Sequence, residues 1–146
     1  MRLLLIDDDP RYRTLLRHHI SCDWPDVDIV SYNPRVRGPL TPGFLAQGYS
    51  AVLLDHEWKG GGSGAEWLKD FQGRDGFAPV IFLASDDIAE DAEAARAAGA
   101  FAVLGKKKCV SGHRQFCLVG IVVNAVRPQE PHAGTTISTP RLQTIV

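Results

Sequence analysis

Residues 3–10 read LLLIDDDP, and this stretch decides the fold. Leu3 to Ile6 form a short apolar run that does not alternate with polar residues. Such a run marks a strand buried on both faces, as in a parallel sheet covered by helices. Three acids then end it. Asp9 followed by Pro10 reads as a helix N-cap with proline in the first turn. The strand therefore hands over directly to a helix, the βα step of an α/β fold.

The same signature recurs along the chain. Ala51–Leu54, Val80–Ala84 and Phe101–Leu104 are also nearly continuous apolar runs, while Val27–Tyr32 alternates and reads as an edge strand. Helical spacing predicts an inner face of Tyr12, Leu15, Leu16, His19 and Ile20 in the first helix. Further helices are expected over Gly64–Phe71, burying Trp67, Leu68 and Phe71, and over Ile88–Ala98, ending at Gly99. A last one is expected over Ser111–Val126, with Phe116, Val119, Val123 and Val126 inward. The segment from Asn33 to Ser50 carries Pro34, Gly38, Pro39, Pro42 and Gly43, so only Phe44–Gln47 is expected to make a helical turn there. This alternation predicts an α/β fold: a doubly wound, flavodoxin-like, five-stranded parallel sheet of strand order 2-1-3-4-5. One domain is expected over 1–126. Residues 127–146 lose periodicity and gain proline, which reads as a tail or interdomain linker.

Bulk properties exclude several classes. At 146 residues the chain has room for one core. A net charge of −1 provides no global field to recruit nucleic acid or an anionic membrane, although Lys106, Lys107 and Lys108 form a local patch. That patch reads as a solvated face, with no direct nucleic-acid contact expected. Cys22, Cys109 and Cys117 are widely spaced and include no CxxC pair, so a reducing, cytoplasmic setting is expected. Met1 runs straight into a strand without a signal-peptide pattern. Cys117–Val126 is far short of the ~20 residues that span a bilayer.

In a parallel sheet the carboxyl ends of the strands share one edge, where ligands bind. Asp7, Asp8 and Asp9 follow the first strand and Asp55 ends the third. Ser85, Asp86 and Asp87 follow the fourth, and Gly105 and Lys106 the fifth. Carboxylates side by side push one pKa upward unless a cation compensates. Oxygen-only ligands favour Mg²⁺ over zinc. A carboxylate could then attack a phosphoryl donor, with metal and ammonium neutralising the phosphoryl oxygens.

These elements resemble the bacterial response-regulator receiver family: LLLIDDDP at 3–10, AVLLD at 51–55, PVIFLAS at 79–85 and AAGAFAVLGK at 97–106. The resemblance covers roughly residues 1–126 and rests on the order and spacing of the motifs. It implies a phosphoacceptor in two-component signalling, not an enzyme beyond its own acceptor chemistry. Asp55 matches the phosphoacceptor, and Asp7 and Asp8 match the acidic pair that holds Mg²⁺. Glu57 matches the position whose backbone carbonyl touches the metal, and Lys106 the lysine that binds the phosphoryl oxygens. The implied partner is a histidine kinase or phosphotransfer protein. The resemblance leaves room for a covalently linked output domain and for a homodimer.

The chain also departs from the pattern. The switch Thr or Ser falls at Ala84, with Ser85 adjacent, and its aromatic partner falls at Val103. The proline after the lysine is replaced by Lys107, and the loop DHEWKGGGSG carries three consecutive glycines. The expectation is intact phosphorylation with an altered readout, through that glycine-rich loop. His56 is assigned at most a minor role. Trp58 reads either as a partner anchor or as a cover for the loop. The rivals are a phosphorylation-independent pseudo-receiver and a haloacid-dehalogenase-type phosphatase using Asp7 and Asp9 in a D-x-D pattern.

Overall fold

Each continuous apolar run becomes a central strand because both of its faces are covered. The computed structural model describes residues 1–41, 48–71, 78–85, 88–110, 115–126 and 143–145. In chain order the elements are β1 (Arg2–Ile6), α1 (Pro10–Asp23), β2 (Asp28–Tyr32), α2 (Pro34–Arg37), β3 (Ala51–Asp55), β4 (Glu57–Trp58) and β5 (Gly62–Ser63). There follow α3 (Gly64–Phe71), β6 (Val80–Ala84), α4 (Ile88–Ala97), β7 (Ala102–Gly105), α5 (Lys106–Val110), α6 (Gln115–Val126) and β8 (Gln143–Ile145). The main sheet is parallel with order β2-β1-β3-β6-β7-β8.

Alternate strand residues feed two cores. Leu4, Ile6, Val52, Leu54, Phe82 and Val103 pack with Leu68 and Phe71 of α3 and Ala92 and Ala95 of α4. Leu3, Leu5, Leu53, Ile81, Leu83 and Leu104 pack with Leu16 and Ile20 of α1 and Ile121 and Val122 of α6. A strand apolar at every position is thus the signature of a sheet with helices on both sides.

Several expectations are corrected. The sheet has six strands where five were expected: Gln143–Ile145 pairs with the outer edge of β7. Three residues are too few to show a period, whereas an unpaired strand edge readily takes up another strand. A helical turn not expected from the sequence follows β2 at Pro34–Arg37, with the Asn33 side chain accepting from Arg35 N–H and proline at the first turn. Proline there starts a helix instead of breaking one; Phe44–Gln47 lies outside the described residues. In α1, Leu15 is 43% exposed. In α6 the inward pair is Ile121 and Val122, whereas Val126 is exposed. That helix is apolar on most sides, so spacing alone could not select its face. The side chains of Phe116 and Val119 are outside what is described, as are Asp86 and Asp87. The glycine-rich loop forms an antiparallel ribbon, β4 with β5, turning through Gly60 and Gly61, both at positive φ.

Candidate functional site

β1 and β3 lie side by side in parallel register, with Ile6 opposite Leu54. The next residue on each strand is an acid, so Asp7 and Asp55 emerge together at the carboxyl edge. Both are buried, at 0% and 1% exposure. From the end of β7, Lys106 Nζ reaches Asp7 Oδ2 at 2.7 Å and Asp55 Oδ1 at 2.8 Å. The same ammonium lies 4.5 Å from the centre of the Tyr12 ring, and the Tyr12 hydroxyl donates to the Lys106 carbonyl at 3.2 Å. Helix α1 thereby fixes the base of the lysine.

Asp8 stands at the rim. Its Oδ2 accepts from Lys59 N–H at 3.1 Å, and Arg35 Nη1 lies 3.7 Å away. Asp7 Oδ1 accepts from Asp9 N–H at 2.7 Å, and Arg13 donates to the Asp7 carbonyl at 2.6 Å. Asp9 caps α1, its Oδ1 accepting from Arg11 and Tyr12 N–H. The N-cap reading of Asp9 holds. The D-x-D rival therefore finds its second acid already engaged in holding the helix.

Burial first, and then the Asp55 carboxylate, push the Asp7 pKa upward, with Lys106 opposing. Burial would lower the Lys106 pKa, but its bonds to Asp55 and Asp7 outweigh that and hold it raised. One ammonium facing two buried carboxylates leaves negative charge uncompensated. Asp7, Asp8 and Asp55 each offer an oxygen, and these oxygens lie within 4.8 Å of one another. The donor set is all oxygen and anionic, which suits a hard divalent cation such as Mg²⁺.

This imbalance has a measurable consequence. A carboxyl whose folded pKa lies above its unfolded value contributes stability at low pH and loses it as pH rises through the folded pKa. At neutral pH the raised Asp7 carboxyl is therefore a burden on the cation-free protein. Asp7→Asn is expected to raise the melting temperature in EDTA at pH 7, with the gain shrinking toward pH 4. It should also reduce the further rise on adding Mg²⁺. A lower melting temperature in EDTA would show that Lys106 already compensates both acids.

The remaining expected residues fall as follows. Glu57 opens β4 with its side chain turned to solvent, 3.5 Å from His56 Nε2. Ala84 is buried at the end of β6 opposite Gly105, and Val103 is buried in the same core. Ser85 does not turn its hydroxyl to Asp55; Oγ donates to Asp91 Oδ2 of α4 at 3.2 Å. Lys106 runs directly into α5, and no peptide bond among the described residues is cis. Trp58 covers the glycine ribbon: a Cβ at Gly62 would fall inside its indole. It stands edge-on to Trp67 at 4.8 Å, and Trp67 leads on to Tyr32 and Phe71.

His56 lies against Asp55, a contact that the sequence does not reveal. Its backbone N–H is shared between the Leu83 carbonyl at 3.0 Å and Asp55 Oδ1 at 2.8 Å, and its ring Nδ1 lies 2.9 Å from the same oxygen. That bond raises the imidazole pKa against the opposing effect of burial. Neighbours on a strand point to opposite faces, but β3 ends at Asp55 and the alternation ends with it. Gly64 N–H donates to the His56 carbonyl at 2.8 Å. A Cβ at Gly64 would lie 1.9 Å from the Asp55 carbonyl oxygen, so glycine lets α3 start against the acid's own backbone.

No protein-family model matches the sequence, and no curated protein matches it. Solved structures do. The BeF₃-activated N-terminal receiver domain of RstA from Klebsiella pneumoniae is 21% identical with a TM-score of 0.70, over 88% of this chain and 100% of that one. The signal receiver domain of a DNA-binding response regulator (merR) from Colwellia psychrerythraea 34H is 20% identical with a TM-score of 0.68, over 85% and 98%. The receiver domain of a modulated diguanylate cyclase from Desulfovibrio desulfuricans G20 is 19% identical with a TM-score of 0.62, over 86% and 92%. At such identities the likeness shows the fold.

Proposed function

We propose that this chain, which has the fold of response-regulator receiver domains, is the phosphoacceptor of a two-component signalling system. One observation carries the reading. Lys106 bridges the buried carboxylates of Asp7 and Asp55, with Asp8 within ligand distance, at the single sheet edge where a parallel α/β fold binds ligands.

In this reading Asp55 attacks the phosphorus of a donor, a histidine kinase or a phosphotransfer protein. Lys106 binds the transferred phosphoryl oxygens as its ammonium shifts from carboxylate to phosphate. Asp7, Asp8, Asp55 and the Glu57 carbonyl would hold Mg²⁺, which neutralises phosphoryl charge when bound. The reaction modifies the chain itself, so the domain is not an enzyme with turnover on a separate substrate. Its setting is cytoplasmic, where such kinases present their phosphate. Among the described residues no helix is long and apolar enough to cross a membrane.

The readout differs from a relay through a hydroxyl at 84 and a ring at 103. The glycine ribbon takes that place. Lys59 N–H holds Asp8, and Trp58 couples the ribbon to Trp67. The message passes to a linked output domain or a separate partner. Ala84, Val103 and the engagement of Ser85 by Asp91 also favour a second reading, a pseudo-receiver that works as a docking module without phosphate.

Incubation with a small phosphodonor, acetyl phosphate, separates the two. The first reading expects a hydroxylamine-labile phosphate that requires Mg²⁺ and disappears in EDTA. An unlabelled wild type, with no change in Trp58 and Trp67 fluorescence on Mg²⁺ titration, would leave the docking module.

A further inference from the structure

Asp55 presents two unequal oxygens. Oδ1 accepts from His56 N–H at 2.8 Å and from Lys106 Nζ at 2.8 Å, and lies 2.9 Å from His56 Nδ1. Among the described residues, Oδ2 accepts no hydrogen bond. An ionised carboxylate only accepts, so a ring nitrogen at 2.9 Å from it must carry the proton. The His56 side chain is 15% exposed, and its carbonyl is tied to Gly64 N–H, so the ring is held in place.

From this geometry we infer that His56 is a positioning residue that sets how long the phosphoryl group stays on Asp55. The inference rests on Asp55 being the phosphoacceptor. With Oδ1 held by donors, Oδ2 is the attacking oxygen. Its lone pair forms the O–P bond, and the donor's O–P bond breaks with its electron pair leaving on the donor oxygen. In the acyl phosphate Oδ1 is then a neutral carbonyl oxygen. During hydrolysis a water oxygen bonds to phosphorus, and the Oδ2–P bond breaks with its pair returning to the carboxylate. The water proton leaves with inorganic phosphate or solvent.

Hydrogen bonds to a charged acceptor are roughly twice as strong as those to a neutral one. The Nδ1–H bond to Oδ1 therefore stabilises the departing carboxylate more than the acyl phosphate. It favours bond breaking and shortens the lifetime of the modified state. The ring does this as a donor, in any protonation state that keeps hydrogen on Nδ1.

The test is the decay of acetyl-phosphate-labelled protein at fixed pH and saturating Mg²⁺. His56→Gln places its amide nearer the Nε2 position and misses Oδ1; His56→Asn places an N–H near Nδ1. Loss of one charge-assisted bond is expected to slow decay about tenfold in His56→Gln. His56→Asn should return it to within about threefold of wild type. Equal melting temperatures would separate positioning from a folding defect, and His56→Ala, expected to decay as slowly as His56→Gln, repeats the loss with a different side chain. Wild-type decay in both His56→Gln and His56→Ala overturns the inference while leaving Asp55 as acceptor. So does slow decay in His56→Asn. A wild type that never labels overturns the acceptor reading itself, and this inference with it.

Discussion

Asp55→Asn is expected to lose phosphoryl incorporation by a factor on the order of 10³ or more, the scale seen when a nucleophile is removed. The carboxamide has the same shape, so the loss would be chemical. Asn keeps an oxygen that can accept from His56 N–H and Lys106 at the Oδ1 position. In place of Oδ2 it offers an amide nitrogen whose lone pair is delocalised and cannot attack phosphorus. The substitution also removes one of two buried negative charges, so the cation-free protein should be at least as stable as wild type. Intact-mass spectrometry after acetyl phosphate treatment, with circular dichroism to verify the fold, measures both. Labelling of Asp55→Asn at the wild-type rate would move the acceptor to another acid of the cluster, Asp7 or Asp8.

Lys106→Met should produce the largest loss of stability among the site variants. Methionine preserves the length and apolar body of the lysine and its contact with Tyr12. It removes the ammonium 2.7 Å from Asp7 and 2.8 Å from Asp55. Breaking a buried ion pair from one side costs ~3–5 kcal/mol, because the partner charge stays buried without compensation. Here two carboxylates are left, and the burial that already pushes the Asp7 pKa upward would be opposed only by the Asp9 N–H bond to Asp7 Oδ1. Urea unfolding at pH 7 in EDTA should show this loss, and it should shrink as pH falls and the acids protonate. Mg²⁺ should restore more stability to Lys106→Met than it adds to wild type, since it would take over the counter-charge. Labelling at saturating Mg²⁺ should still fall by ~10²–10³, the cost of one donor to developing charge. Wild-type stability of Lys106→Met in EDTA would mean that the lysine does not carry the charge balance.

Much of the architecture was legible because burial on two faces leaves a direct trace. LLLI at 3–6, AVLL at 51–54 and VIFLA at 80–84 cannot face water on either side, so a helix-covered parallel sheet follows. The acids that end β1 and β3 and the lysine that ends β7 follow too, because every parallel strand ends at the same edge. Short or ambiguous segments were not legible. Pro34–Arg37 makes a helical turn that the prolines and glycines of its segment hid, because Asn33 caps it and proline fits its first turn. Gln143–Ile145 became a sixth strand because β7 had an open edge, a fact of the assembled sheet and not of those residues.

The sequence by itself determined the first five strands of the sheet, their common edge and the meeting of Asp7, Asp8, Asp55 and Lys106 there, because period and strand polarity are local properties that fix where a run must end. Only the tertiary structure decided what each side chain does at that edge. Ser85 turned to Asp91, Trp58 closed over Gly62, and His56 came round to Asp55 Oδ1. These choices depend on the path of the chain after the strands stop. Beyond that point no periodicity governs direction, and packing against residues distant in sequence sets it.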